Sequence, residues 1–265
     1  MPSITFLQHH ADEGRIYIHR RGYPGKQYLF LDNEPLLYGL STVTGYESEV
    51  PRSFYPELLR ISDTFPHPKA LGFLGVSYLV FYPGLIPSGT LPMADSSSMA
   101  IYANPFARPR AALYYRKSIL ANDSVILDRI FDENDPHDCV WFTTTEDAPS
   151  LDSTPAPEWE PAAIVRSSEN EVDLKTNASR SAYLVLTDSY YPGWNCFVDG
   201  KPQKIYRCNF NMRAVLLSAG AHHVAFIFWP YTAVIGGWCS FCTVLFLVLG
   251  SLGVYWRRKS FFGHE

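Results

Sequence analysis

The chain has 265 residues, of which 47% are hydrophobic and 15% aromatic, so it contains enough apolar material for one large domain or two small ones and is not disordered throughout. Its 22 Lys+Arg and 26 Asp+Glu give a net charge of -4, and three basic residues follow one another only at 257–259. Because neutralising nucleic-acid phosphates requires clustered cations, we expect no nucleic acid partner.

Residues 1–145 mix strand and helix patterns. The segment 15–20 alternates as a strand does, 76–83 is typical of a buried strand, and 53–65 has helical spacing with Ser53 as a candidate N-cap. A capping residue also opens the segment 122–135, where apolar side chains recur on one helical face. These patterns predict an α+β portion over residues 1–145.

The hydrophobic period changes after a proline-rich segment. Residues 146–161 contain four prolines and few apolar side chains, which is typical of a linker. Over 162–229 the period becomes two, with turn signals at Pro192-Gly193, Asp199-Gly200 and Gly220. Short strands are predicted at 162–167, 171–176, 182–189, 194–200, 202–208, 213–218 and 222–229. This spacing predicts an antiparallel, jelly-roll-like β-sandwich over 162–229.

The segment 231–256 contains no charged residue and is longer than the ~20 residues that cross a bilayer. Its flanking aromatic residues and the basic tail at 257–265 predict a transmembrane helix, with the tail in the cytoplasm and the N-terminal bulk outside it. The alternative is a buried helix of a soluble protein. The N-terminus shows no secretory signal pattern, so either this helix inserts late or the chain is the C-terminal part of a larger membrane protein.

The stretch YYPGWNCFVDGK at 190–201 sets three aromatic residues around a Pro-Gly step. Aromatic faces stack on sugar C–H groups, so Tyr190, Tyr191 and Trp194, with Asp188 before them, form a candidate surface for recognising a glycan or acceptor. The alternative is a structural role, in which 192–193 and 199–200 are only turns. Asp188 and Asp199 could also be the acid pair of a glycoside hydrolase, but a hairpin turn explains Asp199 without catalysis. We therefore expect no catalytic residue.

The sequence predicts no metal site and no cofactor. The acidic stretch DENDPHDC at 132–139 lacks the glycine of a calcium-binding loop, and the side chains of His222 and His223 point to opposite faces of a strand. The spacing of the five cysteines predicts neither a disulfide framework nor a zinc site. The register predicts Cys196 opposite about Ile205, which disfavours a disulfide to Cys208 unless a bulge intervenes.

Residues 183–230 resemble the C-terminal extracytoplasmic region of the YfhO family of bacterial polytopic membrane proteins. The family's run L-V-L-S-D-x-Y-Y-P-G-W-x-A-x-V-D-G is matched at 184–200, and its segment R-A-V-x-V-P-A-G-x-H-x-V at 213–215, 219–220 and 223–224. Upstream, 38–48, 55–59, 74–80 and 101–113 are similar to further family stretches in the same order. The departures are Cys196 at a small-residue position, Ser218 in place of a proline, and an extra Cys208.

The resemblance implies a module of a protein similar to GT-C-type glycosyltransferases, which transfer a sugar from a polyprenyl-phosphate carrier to a cell-envelope acceptor. Their catalytic carboxylate usually lies between early membrane helices, so this chain is expected to position the acceptor or provide structural cover. The implied partners are the lipid bilayer of the bacterial cytoplasmic membrane, a separate multi-span membrane domain or complex, and an envelope glycan or polyprenyl-phosphate sugar. The alternative is a non-enzymatic, single-pass glycan-binding or structural subunit.

Overall fold

The computed structural model describes residues 2–10, 14–19, 34–43, 67–81, 92–95, 99–151 and 157–261 of the chain. The helix predicted at 53–65 lies outside these residues.

A four-stranded sheet forms the first part of the fold. Its strands lie in the order β1 (Arg15–Ile18), β2 (Val76–Phe81), β4 (Ala100–Ala103) and β3 (Pro92–Asp95). The first pair is parallel, and the others are antiparallel. The accompanying helices are α1 (Pro2–His10), α2 (Glu34–Leu37) and α3 (Pro68–Phe73). The strands predicted within 15–20 and 76–83 are confirmed as β1 and β2.

A connecting segment contains β5 (Ala111–Tyr114), β6 (Lys117–Leu120), helix α4 (Asp123–Ile130), β7 (Val140–Thr143) and β8 (Trp159–Pro161). Asn122 caps α4, because its side-chain oxygen accepts a hydrogen bond from the backbone N–H of Val125 at 3.1 Å. The helix buries Ile126 and Ile130, which lie one turn apart on the same face. The helix predicted within 122–135 is confirmed, and its C-cap is Phe131.

Two five-stranded antiparallel sheets form most of the remaining β structure. Strands β6 and β7 pair in parallel as a separate two-stranded sheet. The β16 sheet has the order β13 (Lys201–Gln203), β12 (Trp194–Val198), β16 (Gly220–Phe228), β10 (Glu171–Ala178) and β9 (Ala163–Ser167). The β11 sheet has the order β14 (Tyr206–Cys208), β15 (Met212–Leu217), β11 (Ala182–Ser189), β5 and β8.

One hydrophobic cluster takes side chains from both of these sheets. Leu174 and Phe226 of the β16 sheet are fully buried in it, as are Leu184 and Val215 of the β11 sheet. On its other face the β11 sheet packs Tyr183 into a second cluster with α3, α4 and β7. β11 is therefore an almost unbroken apolar run, since both of its faces are covered, whereas β10 alternates between buried and more exposed positions. The described part of the chain is mostly β, in several sheets of which none is closed.

The strands predicted within 162–229 are confirmed with one difference. The segment 202–208 forms two strands, β13 and β14, because the chain leaves the β16 sheet and enters the β11 sheet near Ile205. The β11 sheet also contains β5 and β8, and Ala112 of β5 pairs with Pro161 on one side and Val185 on the other. The β11 sheet therefore combines strands from the predicted α+β portion, the linker and the sandwich region. The boundaries between these parts remain a prediction.

The two cysteines of this region lie apart. Because the hairpin turns at 199–200, Cys196 pairs with Gln203 and not, as expected, with Ile205. Cys196 lies in the cluster shared by the two sheets, Cys208 lies in the cluster on the other side of the β11 sheet, and both are free thiols. Burial raises the pKa of Cys196 to about 12 and that of Cys208 well above its ordinary value, so both thiols stay protonated near neutral pH.

Helix α5 (Tyr231–Phe261) follows β16 after only Trp229 and Pro230. Its segment Tyr231–Val254 has 24 residues, a mean hydropathy of 2.1, and no part buried against the rest of the protein. A core helix of a soluble protein is mostly buried, so this exposure favours the membrane alternative. By length and composition it is the candidate membrane span within the described residues.

Candidate functional site

The aromatic loop lies at the end of the β16 sheet where the chain enters α5. The register pairs Trp194 with Phe228, the last residue of β16. The backbone N–H of Trp229 donates to the carbonyl of Gly193 at 2.7 Å. We call this the helix-proximal end of the sheet; the turn at 199–200 and Gly220 lie at the opposite end.

Gly193 permits the close contact between the loop and the strand-to-helix junction. Its φ of +112° lies in the region that favours glycine. A Cβ at this position would lie 2.9 Å from a ring carbon of Phe228 and 3.2 Å from Pro230. The Pro192-Gly193 step therefore does more than reverse the chain, because it also seats the loop against the base of α5.

Tyr190, Tyr191 and Trp194 line one cavity of ≈ 260 Å³. Its other lining residues include the apolar Phe197 and the polar Gln203, so the walls are mixed in character. Tyr191 is 51% exposed and lies with its ring centre 6.4 Å from that of Phe228. The three aromatic residues singled out from the sequence thus meet at one place, and Tyr191 presents the most open ring there.

Trp194 is not a free platform, because a buried arginine covers one side of its ring. The guanidinium carbon of Arg213 lies 3.8 Å from the centre of the Trp194 ring and 5.2 Å from that of Phe226. The Arg213 side chain is 2% exposed, and its Nε and Nη1 have no hydrogen-bond partner among the residues that the structure describes. Burial lowers the pKa of Arg213 to about 10, against the opposing effect of Asp188. The arginine remains charged near neutral pH.

Asp188 is the anion that compensates this buried charge. Arg110 donates two hydrogen bonds to its carboxylate, from Nε at 2.8 Å and Nη2 at 2.7 Å. Arg15 donates one at 2.6 Å, and Arg213 one at 2.8 Å. Burial would raise the pKa of Asp188, but the bond from Arg110 and the charges of the three arginines lower it to about 2.

This arginine cluster joins distant parts of the chain. Arg15 belongs to β1 of the four-stranded sheet, and besides Asp188 it donates to the backbone carbonyl of Leu74 and to the hydroxyl of Thr187. Arg110 precedes β5, and its Nη1 donates to the hydroxyl of Ser167 at 3.1 Å. Asp188 therefore ties the four-stranded sheet to the β11 and β16 sheets.

The distal turn is a separate, smaller structure. Asp199 and Gly200 have φ of +50° and +76°, which fits a two-residue hairpin turn with the left-handed conformation at both positions. The Asp199 carboxylate accepts from the backbone N–H of His223 at 2.9 Å and contacts His222 Nδ1 at 2.7 Å. Gly220 has φ of +120° at the start of β16. Asp199 is thus engaged in the turn, on a different sheet from Asp188.

Sequence reasoning named Asp188 but missed its three partners. Arg15, Arg110 and Arg213 are far apart in the chain, and no local pattern marks them as a group. A signal was present, however, because Arg110, Asp188 and Arg213 all fall within stretches that carry the family resemblance. Among the described residues, no group of three His, Cys, Asp or Glu side chains could hold a metal ion.

These features define a β-rich module joined directly to a candidate membrane helix, which is the organisation of a membrane-anchored protein. Residues 158–240 match the family described as "Bacterial membrane protein YfhO". The match runs from β8 through β16 into α5, and it confirms the resemblance to this family seen in the sequence for these residues. No curated protein and no solved structure gives a match to the chain.

Proposed function

We propose that this chain is the extracytoplasmic C-terminal module of a YfhO-like polytopic membrane protein that transfers sugars from a polyprenyl-phosphate carrier to a cell-envelope acceptor. In this proposal the module positions the acceptor at the membrane surface, and catalysis resides in membrane helices outside this chain. The family match over 158–240 and the candidate span at Tyr231–Val254 support it. We include a β-sandwich in the proposal, because the β11 and β16 sheets share one buried cluster.

The observation that carries the proposal is the position of the aromatic cavity. Tyr190, Tyr191 and Trp194 line it, and the adjoining Gly193 contacts the junction between β16 and α5. If α5 crosses the bilayer, the cavity opens close to the headgroup layer, where tyrosine and tryptophan side chains are favoured. A carrier-linked sugar and its acceptor must meet in that layer.

Within the cavity we assign different roles to the candidate residues. Tyr191, at 51% exposure, offers its ring for stacking on a sugar. Trp194 forms a fixed wall, because Arg213 lies against its ring. Asp188 acts as a positioning residue through Arg213 and makes no contact with the sugar.

Glycan binding by the full chain in detergent tests this assignment. We expect purified cell-envelope glycans to bind, and Tyr191→Ala to weaken binding about tenfold without changing the free energy of unfolding. Phe106→Ala is the matched control, because Phe106 is a similarly exposed aromatic residue, at 49%, that does not line the cavity. Equal binding by the two variants, or no glycan binding by the unmodified chain, would contradict the proposed role.

The topology and the catalytic partner need separate tests. Protease added to intact spheroplasts should digest the module if the N-terminal bulk lies outside the cytoplasm, whereas protection until lysis would reverse the orientation. A neighbouring reading frame with several hydrophobic spans would support a separate catalytic membrane part.

The alternative proposal is a non-enzymatic, single-pass subunit that binds glycan or supports a membrane complex. The directness of the link between β16 and α5 favours it, because a short link holds the module in a fixed position on its own helix. Crosslinking in native membranes separates the two proposals. Capture of a polytopic glycosyltransferase-like protein supports the first, and migration of the crosslinked chain as a monomer supports glycan binding without an enzyme.

A further inference from the structure

We propose that the distal end of the β16 sheet carries a second site, a Ser-His-Asp triad that cleaves water-exposed carboxylic esters. Its members are Ser218, in the loop between β15 and β16, His222 near the start of β16, and Asp199 in the turn between β12 and β13. The aromatic cavity shares none of these residues. The site is therefore independent of the proposed acceptor function.

The three side chains form one series of hydrogen bonds. Oδ2 of Asp199 lies 2.7 Å from Nδ1 of His222. On the other side of the ring, Nε2 of His222 lies 3.2 Å from the hydroxyl oxygen of Ser218. Both distances fall within the roughly 2.6–3.2 Å over which a base contacts its nucleophile and is oriented by a third group. This is the order of contacts in a catalytic triad, which is recognised by geometry and not by position in the chain.

The carboxylate determines which nitrogen of the ring carries the proton. An ionised carboxylate only accepts, so Nδ1 of the neutral His222 donates to Asp199, and Nε2 keeps the lone pair that accepts from Ser218. The hydrogen bond from His222 lowers the pKa of Asp199, which keeps this carboxylate ionised. Once Nε2 has taken a proton, it can donate to the backbone carbonyl of Ser218, also 3.2 Å away. The charged ring is then stabilised on both sides.

The fold fixes the acid relative to the base. Oδ1 of Asp199 accepts from the backbone N–H of His223 at 2.9 Å, and the backbone N–H of Asp199 donates to the carbonyl of His223 at 2.9 Å. These bonds leave Oδ2 for His222. The His222 side chain is only 12% exposed, so its ring is packed in place although Asp199, at 51%, borders open solvent.

The surroundings of Ser218 leave room for a substrate that arrives from water. Ser218 is exposed, and a Cβ on Gly200 or Gly220 would meet no atom within 4 Å in the part of the chain that the structure describes. β16 has nine residues and separates this end from the start of α5 by about 25–30 Å. If α5 crosses the bilayer, the ester belongs to a molecule in the aqueous phase and not to a membrane lipid.

The reaction transfers an acyl group first to Ser218 and then to water. Oγ of Ser218 attacks the ester carbonyl carbon while its proton passes to Nε2 of His222. The bond from that carbon to the alcohol oxygen breaks, and His222 returns the proton to the leaving alkoxide. Water then attacks the acyl-serine and gives a proton to His222, which passes it to Oγ as the carboxylic acid leaves. Ester and water become alcohol and acid, with no oxidant or reductant.

Ser218 is also a position at which this chain departs from the family pattern. The matching segment of the family has a proline there, and proline has no hydroxyl. The proposed activity therefore belongs to this chain and does not extend to chains with the proline.

A fluorophosphonate probe tests the nucleophile in the full chain in detergent. The probe forms a bond between its phosphorus and an activated serine oxygen and releases fluoride. We expect mass spectrometry to place the label on Ser218, and Ser218→Ala to remove it. Ser168→Ala is the matched control, because Ser168 is exposed but donates its hydroxyl to the backbone carbonyl of Glu171. No label on Ser218, or equal labelling of Ser168, would overturn the triad.

Hydrolysis of p-nitrophenyl acetate by the same preparations tests the other members. Ser218→Ala and His222→Gln should each lower the rate by at least about tenfold. Asp199→Asn should keep the turn, since asparagine also favours the left-handed conformation, and lower kcat about tenfold with KM unchanged. His67→Gln is the matched control, because His67 also contacts a carboxylate, that of Glu133 at 3.1 Å, and should leave the rate unchanged.

Three results would contradict the proposal. A rate that survives Ser218→Ala but falls in His222→Gln would mean that the imidazole acts alone on this activated ester. Equal losses in His222→Gln and His67→Gln would show that the pairing with Asp199 has no special role. A loss in Asp199→Asn that appears in KM alone would remove its positioning role. Because the glycan assay depends on Tyr191 and the ester assay on Ser218, the two proposals can fail separately.

Discussion

The guanidinium carbon of Arg213 lies 3.8 Å from the centre of the Trp194 ring. Arg213 also donates a hydrogen bond to Asp188, which Arg15 and Arg110 bind as well. The first residue of β12 is therefore coupled, through one buried cation, to the four-stranded sheet. Trp194, which the sequence suggests as part of a binding surface, therefore also covers the arginine cluster around Asp188.

The first prediction concerns this cover. Trp194→Ala should lower the free energy of unfolding by about 2–4 kcal/mol, because it removes a large packed ring and the cation–π contact with Arg213. Trp194→Phe should cost less, since part of both contacts remains. Chemical unfolding of the full chain in detergent, followed by circular dichroism, measures these differences.

Trp229→Ala provides the control for that comparison. Trp229 is 58% exposed, so the same substitution should change the free energy of unfolding by no more than about 0.5 kcal/mol. An equal loss of unfolding free energy in Trp194→Ala and Trp229→Ala would show that the contact between Trp194 and Arg213 does not stabilise the fold.

The second prediction concerns the anion at the centre of the cluster. Asp188→Asn should lower the free energy of unfolding by about 3–5 kcal/mol, because it leaves the buried charge of Arg213 without its partner. Asp173→Asn is the control. Asp173 is comparably covered, at 18% against 12% side-chain exposure, but its ion pair with His223 is long, at 3.9 Å. A similar loss in both variants would show that the cluster has no special role.

The third prediction follows from the lowered pKa of Asp188. Its ordinary value is 3.8 and its value in the folded protein is about 2, so the folded state favours the ionised form. The resulting stabilisation is present above about pH 4 and is lost as the pH falls towards 2. The difference corresponds to about 2 kcal/mol. Unfolding measured between these pH values should show the loss in the unmodified chain and a smaller loss in Asp188→Asn; parallel curves would contradict it.

The sequence predicts most of the β structure because period-two alternation is local. β10 and β11 each lie within one residue run whose pattern needs no partner to be recognised. β5 was not predicted, since its four residues follow a proline-rich stretch and gain their strand geometry by pairing with β11 and β8. Such pairing is a tertiary effect that no local pattern contains.

The same distinction between local patterns and tertiary contacts applies to the candidate site. Tyr190, Tyr191 and Trp194 were found because they are adjacent in the sequence and also line one cavity. The contact of Asp188 with Arg15 joins residues 173 positions apart, and no spacing rule predicts it. Ion pairs over such distances follow from the packing of the sheets, which is why the carboxylate looked like a site residue before its partners were known.

The fourth prediction tests the junction between the aromatic loop and α5. Gly193→Ala should lower the free energy of unfolding by more than Gly220→Ala, because both glycines have similar positive φ, +112° and +120°, but only Gly193 has neighbours where a Cβ would lie. The strain of holding an alanine at positive φ should cost about 1–2 kcal/mol in each variant. The clash with Phe228 and Pro230 should add about 1–3 kcal/mol in Gly193→Ala. Equal losses would mean that the loop can move away from the junction, and the cavity lined by Tyr190, Tyr191 and Trp194 would then not be fixed to the base of the helix.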